Sequence, residues 1–288
     1  MTHAAAKTGL GPIILVAIEQ YYPENERIIS DNLASSMLPF GMRAFVWFMR
    51  FSAVRKWMVK KIEKKSPGIW AGLLCRKRYI DEKLFDPDQE IEAIVNLGAG
   101  FDTRVYRMPS SAPVCAWEID QSDNIAQKEN RLVRSLGQIP THIRLISIDF
   151  DRDDLGSILS ENGYSSGKRT FIIWEGVTQY LTEMGIQTTL NVLSKAKQGS
   201  HLVFTYILKE FLTGDNLYDQ EKHYQQFVEK GVWLFGLHPG EVSSFLGPYG
   251  WKVLEDLAYE ELAENYLEPT GRKLSVLPIE RIVLAEKR

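Results

Sequence analysis

The chain has 288 residues, of which 44% are hydrophobic and 25% charged, as is typical of a soluble globular protein. Its formal net charge of −3 gives no reason to expect nucleic acid as a partner of the whole chain. The two cysteines, Cys75 and Cys115, lack CxxC spacing and are expected to be reduced thiols of a cytoplasmic protein. The five histidines are scattered, so the sequence predicts no metal site.

Residues 1–90 predict helices and no convincing strand, so we expect a helical N-terminal region that caps the rest of the chain. An apolar run at residues 12–18 is too short to span a bilayer. It leads into a polar stretch instead of a small-residue cleavage site, so no secretory signal is predicted.

Within this region, residues 41–66 combine basic and aromatic side chains. They contain eight Lys or Arg residues against one acid, Glu63, and five of the interleaved aromatic residues are Phe45, Trp47, Phe48, Phe51 and Trp57. One interpretation is a basic amphipathic helix that touches a membrane or an anionic substrate carrier. The helical spacing favours the other interpretation, a helix that packs its aromatic face on the core and leaves its basic face in solvent.

From residue 91 onward, short apolar runs alternate with helical patterns. The predicted strands are 91–97, 113–119, 143–148, 170–175 and 201–207, with helices such as 123–137 and 182–199 between them. Strands that alternate with helices predict βαβ units and a mostly parallel sheet that is covered on both faces. Residues 91–288 are therefore expected to form a doubly wound α/β core.

The end of the chain has a different pattern. Residues 238–250 predict a helix, and residues 251–262 and 281–287 predict two late strands. The simplest placement for these strands is an antiparallel addition to the edge of the sheet.

The first strand runs into a glycine turn, Gly98-Ala99-Gly100. Such a turn lets the backbone approach a ligand closely, and the following residues look like the start of a helix whose N–H groups would favour an anion. Thr103 occupies the position of the third glycine of a dinucleotide fingerprint, so that fingerprint is incomplete.

Acidic residues follow the next three strands. Asp120 lies 22 residues after Gly98, near the spacing at which an acid binds ribose hydroxyls. Asp149 could accept a hydrogen bond from an adenine amine with Phe150 against the ring, and Glu175 ends the fourth strand. Because the carboxyl ends of parallel strands meet at one sheet edge, these acids predict an adenosine-containing cofactor.

The acids also distinguish two classes of cofactor. Carboxylates after three neighbouring strands would repel the pyrophosphate of a dinucleotide. They would instead attract the sulfonium and ammonium groups of S-adenosylmethionine. The sequence therefore favours S-adenosylmethionine over NAD(P).

The segments LGAGFDTRVYRM, WEIDQSDNIAQKENRL, SIDF and FIIWEGVTQYLT resemble the leucine carboxyl methyltransferase-like group of class I S-adenosylmethionine-dependent methyltransferases. The segments ERIISDNLASSMLP and CRKRYIDEKL resemble its bacterial branch, which contains O-methyltransferases of polyketides and other small molecules. The resemblance implies a Rossmann-like, seven-stranded methyltransferase core with an antiparallel edge.

The resemblance also implies site residues. Arg76 or Arg78 would pair with the methionine carboxylate, and Arg76 aligns better. The remaining cofactor contacts would be Gly98, Ala99 and Gly100 at the methionyl part, Asp120 at the ribose, Asp149 with Phe150 at the adenine, and Glu175 at the methionyl end. No lysine near the chain start matches the one that the eukaryotic branch uses, which argues against a protein-phosphatase substrate.

The charged residues around these positions have structural interpretations as well. Either arginine could instead form an ion pair with a helix acid such as Asp81 or Glu82. Asp102 and Arg104 are expected to form a capping or ion-pair arrangement under the glycine loop.

The predicted reaction is methyl transfer to a carboxylate or hydroxyl oxygen of a small molecule. A carboxylate needs no base, whereas a hydroxyl would need one. The candidates for that base are Tyr180, Tyr206 and His238. By analogy with the family, residues 208–237, called the lid segment below, and the N-terminal region are expected to cover the acceptor pocket.

Two other functions stay open at this stage. A methyltransferase that acts on a protein carboxyl terminus would use the same cofactor and core. An NAD(P)-dependent oxidoreductase, or a noncatalytic nucleotide-binding protein, would use the same sheet edge.

Overall fold

One mixed sheet forms the centre of the molecule in the computed structural model, which describes residues 9–108, 114–150 and 152–288. Its strands are β1 (Ala93–Leu97), β2 (Cys115–Asp120), β3 (Ile143–Ser147), β4 (Thr170–Trp174), β5 (His201–Leu208), β6 (Gly236–Leu237), β7 (Trp251–Ala258) and β8 (Glu280–Lys287). The first five match the predicted strands within a few residues, although Pro113, the first residue of the second predicted strand, lies outside the described residues.

The strand order is β3-β2-β1-β4-β5-β8-β7, and the short β6 pairs with the end of β5. Strands β1 to β5 are parallel, whereas β8 runs antiparallel to both β5 and β7. The predicted doubly wound α/β fold with an antiparallel edge is therefore confirmed. This order brings the carboxyl ends of β1, β2 and β4 side by side, and ligands of doubly wound sheets bind there.

The apolar composition of the central strands has a direct structural cause. Every residue of β1 and β4 is buried, since helices cover both faces of the sheet. Asn96 is the one polar side chain of β1, and Thr170 begins β4. A polar residue in such a strand needs a particular partner or ligand.

Eleven α-helical segments are assigned within the described residues. They are α1 (Leu10–Glu19), α2 (Phe40–Phe48), α3 (Ser52–Lys65), α4 (Ile69–Leu84), α5 (Ser122–Leu136), α6 (Leu155–Glu161), α7 (Glu183–Leu193), α8 (Lys209–Thr213), α9 (Glu221–His223), α10 (Val242–Leu246) and α11 (Tyr259–Tyr266). Side-chain caps start two of them: Asp154 accepts a hydrogen bond from the Ser157 N–H, and Thr182 accepts one from the Gly185 N–H.

Three local predictions were wrong. Strand β7 ends at Ala258, where α11 begins, so the predicted strand 251–262 is four residues too long. Residues 238–250 form short 3₁₀ and α turns around α10 instead of one helix. After the glycine turn, the described residues up to 108 contain only a 3₁₀ turn, Arg104–Tyr106, and no α-helix.

The N-terminal helices pack on the core mainly through α1 and α4. Glu19 of α1 is fully buried; it accepts hydrogen bonds from the Ile28 N–H at 2.8 Å and from Arg272 at 2.5 Å. Cys75 and Cys115 are free thiols, and burial raises the pKa of Cys75 to about 12. Cys75 is therefore a core residue with little thiolate character.

Helices α2 and α3 contradict the interpretation that their aromatic face packs on the core. The large apolar side chains exposed there are Phe40, Met42, Phe45, Trp47, Phe48, Phe51, Val54 and Trp57. Only Val46 of α2, and Arg55 and Val59 of α3, are buried. No helix in the described part of the chain is long and apolar enough to cross a membrane.

Candidate active site

A cavity of about 590 Å³ opens at the carboxyl ends of β1, β2 and β4. Its lining includes residues at the ends of these strands and in the segments that follow them: Asn96, Gly98, Ala99, Gly100, Phe101, Asp102, Asp120, Gln121, Asn124, Glu175, Gly176, Val177, Gln179 and Tyr180. Residues of α1, α3 and α4 and residues of the lid segment also line it. The volume lies within the range typical of small-molecule sites.

The glycine turn brings the backbone of β1 close to the neighbouring loop. Gly98 has a φ of +71°, and a Cβ placed there would lie 2.3 Å from Cγ2 of Val177. Gly100 also has a positive φ, of +46°, but the space where its Cβ would point is open. Two different constraints therefore act in one turn: close packing at Gly98 and backbone conformation at both glycines.

The N–H groups of this turn already have partners. Those of Gly98 and Ala99 donate to the carbonyl of Ile119 at 2.8 and 3.0 Å, and that of Gly100 donates to Asp120 at 2.6 Å. With no α-helix after the turn, the expected anion site on helical N–H groups is missing from the described residues. Two cations that could meet a ligand carboxylate, Arg76 and Lys77, line the same cavity.

Asp120 lies at the end of β2 and lines the cavity. Besides Gly100, its carboxylate accepts hydrogen bonds from the Gln121 N–H at 2.7 Å and from Asn124 at 2.8 Å. These donors hold the carboxylate against the glycine turn. The predicted ribose acid and the predicted methionyl loop are thus joined in one hydrogen-bonded unit.

A buried ion pair fixes the helix after β2. Glu118 lies two residues before Asp120, and its carboxylate accepts hydrogen bonds from Lys128 of α5 at 2.7 Å and from Tyr106 at 2.6 Å. Burial raises the pKa of Glu118, and Lys128 acts in the opposite direction. The pair anchors α5, and hence Asn124, beneath the cavity.

Glu175, after β4, is the centre of a buried network of charges. It pairs with Arg76 at 2.9 Å, with Arg104 at 2.9 Å and with Lys77 at 3.3 Å. Burial opposes ionisation, but the attraction of Lys77, Arg104 and Arg76 outweighs it, so the pKa of Glu175 is held well below its usual value. Glu175 is therefore a permanent anion at the cavity wall.

The same network accounts for Asp102 and Arg104. Arg104 pairs with Asp102, with Asp81 at 2.6 Å and with Glu175, and it is almost fully buried. Burial opposes ionisation of Asp102, but Arg104 and Lys77 lower its pKa. The predicted structural ion pair under the loop is present, and it extends to helix α4 through Asp81.

The two candidate arginines have different environments. Arg76 is buried, lines the cavity and pairs with Glu175 and with Glu280 at 2.9 Å, not with Asp81 or Glu82. Arg78 is exposed and borders a separate cleft beside Ser30 and Phe85. Lys77, which the sequence analysis did not single out, lines the cavity next to Arg76.

Asp149 and Phe150 lie outside the cavity lining. Strand β3 ends at Ser147, and the Asp149 side chain is about half exposed, 3.6 Å from Arg152. Phe150 is partly buried against the core. Adenine binding by these two residues stays a prediction.

The lid segment supplies an aromatic stack to the cavity. The Phe227 ring stacks on the Trp233 ring, with ring centroids 4.5 Å apart. The His223 ring also stacks on Phe227, with ring centroids 6.1 Å apart. All three side chains line the cavity, together with Gln226. The Leu234 N–H donates to the carbonyl of Gln179 at 2.6 Å and so ties the lid segment to the loop after β4.

Among the predicted bases, only Tyr180 lines the cavity. Tyr206 is buried, and its hydroxyl donates to Asp256; burial, followed by Asp256, raises its pKa. His238 pairs with Glu210 at 3.0 Å, outside the cavity. His223 lines the cavity but was missed, because nothing near it in the sequence marks a site.

Buried polar atoms test whether this cavity suits a polar ligand. Nδ2 of Asn96, Oε1 of Gln179 and Nε1 of Trp233 are buried and have no hydrogen-bond partner among the described residues. All three residues line the cavity. Because buried polar atoms are rarely left unpaired, a ligand with polar groups at several points fits this wall. Asn96 could have been found from its place in an otherwise apolar strand.

Comparison with known proteins assigns a family. The model of the leucine carboxyl methyltransferase family matches residues 10–194. A protein of Mycobacterium avium, provisionally named as an S-adenosyl-L-methionine-dependent methyltransferase, is 29% identical over 203 residues, 67% of each chain. A protein of Mycolicibacterium smegmatis with a similar provisional name is 26% identical over 213 residues, covering 68% of this chain and 67% of its own.

Solved structures show the same fold at low identity. A DUF574 family protein of Streptomyces avermitilis aligns with a TM-score of 0.56 and 11% identity, over 80% of this chain and 88% of its own. A protein of Bordetella parapertussis aligns with a TM-score of 0.54 and 13% identity, over 100% of this chain and 99% of its own. At these identities the likeness is one of fold alone.

Proposed function

The chain belongs to the leucine carboxyl methyltransferase family of S-adenosylmethionine-dependent methyltransferases, and we propose that it methylates an oxygen atom of a small molecule. The observation that carries this proposal is that one cavity is lined by Arg76, the glycine turn, Asp120 and Glu175 and also by aromatic residues of the lid segment. Bound S-adenosylmethionine supplies a methyl group already activated by its sulfonium. The protein's task is then to align an acceptor oxygen and exclude water.

We assign the donor end of the cavity to the residues that follow the strands. Gly98 and its two neighbours would lie along the methionyl part, Asp120 would bind the ribose, and Arg76 with Lys77 would meet the carboxylate. Glu175 keeps those cations in place and adds negative charge near the ammonium and sulfonium. The unpaired Asn96 and Gln179 atoms support a polar ligand at this wall.

We assign the acceptor end to the lid segment and the N-terminal helices. Apolar side chains of α1 and α4, namely Ile13, Leu15, Ile69 and Leu73, line the same cavity as the aromatic stack. A flat, largely apolar acceptor could lie against Phe227 and Trp233, and the unpaired Trp233 N–H would donate to one of its oxygens. This surface supports an aromatic or polyketide-like small molecule.

His223 is the side chain best placed to accept a proton from a hydroxyl acceptor. Its ring lines the cavity, and it makes no hydrogen bond to the described residues. Burial lowers its pKa, so the imidazole is neutral at neutral pH and can act as a base. Tyr206 and His238 are no longer proposed for this role.

Calorimetry tests the cofactor assignment. The protein should bind S-adenosylhomocysteine and not NAD(P), and Asp120→Ala should weaken that binding tenfold or more, because a charge-assisted hydrogen bond is worth about 1.5–3 kcal/mol. Asp123→Ala, a change in the first turn of the helix after β2, serves as the control. Binding of NAD(P) without S-adenosylhomocysteine would overturn the cofactor assignment, and equal affinities of the two variants would remove Asp120 from the site.

Acceptor chemistry is tested with paired aromatic alcohols and acids as methyl acceptors. His223→Gln should lower kcat/KM for a hydroxyl acceptor by about 100-fold or more and leave a carboxylate acceptor little changed. With the hydroxyl acceptor, the wild-type rate should fall on acidification, as His223 becomes protonated. Because burial lowers the pKa of His223, this fall should occur below about 6.5, the usual pKa of histidine.

The matched control is His201→Gln. His201 is another histidine with a pKa lowered by burial, but it lies at the amino end of β5 and does not line the cavity. The His201→Gln variant should change neither the rate with the hydroxyl acceptor nor the rate with the carboxylate acceptor. If His223→Gln keeps full activity on hydroxyl acceptors, His223 is not the base.

A further inference from the structure

The surface of helices α2 and α3, taken as residues 40–65, exposes large apolar side chains without a partner. Phe40 is 87% exposed, Trp57 59% and Phe48 53%. A folded protein seldom presents so many aromatic side chains to water in one place unless they contact something. The surface therefore needs an occupant.

The surface is firmly attached to the rest of the protein on its inner side. Arg55 is buried, donates a hydrogen bond to the Met49 carbonyl at 2.8 Å and lies 4.3 Å from the Tyr22 ring. Val46, Met49 and Val59 are buried beside it. The inner face is thus packed, and the exposed aromatic residues belong to an outer face.

Positive charge surrounds these aromatic residues. Residues 41–66 carry eight Lys or Arg residues against Glu63, whereas the whole chain has a net charge of −3. Glu63 points to the protein, since its carboxylate accepts the Ser275 N–H at 2.9 Å. Every basic residue other than Arg55 is exposed: Arg43, Arg50, Lys56, Lys60, Lys61, Lys64 and Lys65.

The aromatic and basic side chains are interleaved. The Arg50 guanidinium lies 3.5 Å from the Trp47 ring centre and 4.7 Å from that of Phe51. Lys61 lies 5.1 Å from the Trp57 ring centre. Aromatic rings beside cations suit the boundary between lipid headgroups and acyl chains, where rings enter the apolar layer and cations meet phosphates.

A second copy of this chain is a poor occupant. A symmetric dimer through this surface would place two strongly positive faces against each other, with repulsion at every basic residue. An anionic bilayer provides both the negative charge and the apolar layer that the surface lacks. We propose that residues 40–65 bind the interface of an anionic membrane, with the helices lying in its plane.

This contact would orient the cavity. Ile62 and Lys65, at the end of α3, line the cavity, and so does Ser66, which follows the helix. The helix that carries Trp57 thus contributes both to the proposed lipid surface and to the cavity lining. The inference does not depend on which acceptor the cavity takes.

Vesicle sedimentation tests the proposal with the full chain. The protein should sediment with phosphatidylcholine vesicles that contain phosphatidylglycerol, stay in solution with phosphatidylcholine alone, and dissociate as salt is added. Phe48→Ser/Trp57→Ser and Lys60→Glu/Lys61→Glu should each weaken binding tenfold or more. Both variants change exposed positions, and circular dichroism and thermal unfolding should confirm that they fold.

Matched controls are Met184→Ser, an exposed apolar residue of α7, and Lys195→Glu, an exposed basic residue elsewhere. Both should bind vesicles like the wild type. The proposal is overturned if the wild type ignores anionic vesicles at low salt, or if the aromatic variant binds as tightly as the wild type. It is also overturned if light scattering shows a dimer that Phe48→Ser/Trp57→Ser dissociates, or if the surface binds an acidic protein but no vesicle.

Discussion

Two walls of the cavity are held together by different interactions. On the strand-end wall, formed by Gly98, Asp120 and Glu175, backbone hydrogen bonds and buried ion pairs fix each group from several directions. On the lid wall, formed by residues 208–237, side chains of one segment stack on each other, with His223 at the end of the stack. The first wall is preorganised by the sheet, and the second depends on local packing.

This difference separates two tasks of a group-transfer enzyme. The proposed donor end must suit one cofactor, and its groups lie at the ends of rigid strands. The proposed acceptor end would determine substrate choice, and such residues are commonly carried by loops on a rigid scaffold. Substitutions on the strand-end wall should therefore cost both stability and cofactor binding, whereas those on the lid wall should affect the acceptor alone.

The largest effect is expected at the centre of the charge network. Glu175→Gln removes the anion shared by Arg76, Lys77 and Arg104; Lys77 loses its carboxylate partner, and each arginine loses one of its partners in a buried site. It should lower the free energy of unfolding by about 3–5 kcal/mol, measured by urea denaturation. Glu92→Gln, which breaks an exposed pair with Lys197, should have a much smaller effect.

The stabilisation that Glu175 provides should depend on pH. Because the pKa of Glu175 is lower in the folded protein than in the unfolded chain, its stabilisation is complete at neutral pH. It should decline as the pH falls below the unfolded value, about 4.3, toward the folded one. The difference in unfolding free energy between wild type and Glu175→Gln should therefore shrink on acidification; a constant difference would contradict the assignment of the charge.

A smaller effect is expected in the glycine turn, where Gly98→Ala and Gly100→Ala form a matched pair. Both variants place a side chain at positive φ, but only at Gly98 would the new Cβ meet Val177. Gly98→Ala should cost about 2–4 kcal/mol of stability and Gly100→Ala about 1 kcal/mol, by the same denaturation measurement. Adding Val177→Ala should recover part of the loss at Gly98, and no recovery would mean that the contact is not the cause.

The strand-end wall also shows which parts of the fold and the site could be predicted from the sequence. Apolar runs at βαβ spacing predicted the sheet, because burial on both faces requires apolar strands. The loop and strand-end positions of Gly98, Asp120 and Glu175 followed from where the predicted strands end. The three partners of Glu175 did not, since Arg76 and Lys77 lie about 100 residues earlier in the chain.

The wrong predictions also arose because tertiary packing cannot be read from local sequence patterns. The aromatic spacing of residues 41–66 predicts helices but not which face another element covers, so burial was wrongly expected there. The end of β7 was misplaced because Tyr259, a good strand residue, begins a helix that packs on α4. His223 was missed because only the folded lid brings it to the cavity.

The smallest effect is expected on the lid wall. Phe227→Leu keeps an apolar side chain but removes the ring between His223 and Trp233. An aromatic pair contributes about 1 kcal/mol beyond its buried area, so KM for the acceptor should rise about fivefold while affinity for S-adenosylhomocysteine stays unchanged. Phe245→Leu, which removes a ring contact with Phe235 away from the cavity, should alter neither quantity. A loss of cofactor affinity in Phe227→Leu would mean that the two walls are coupled, and the division between a donor wall and an acceptor wall would then be wrong.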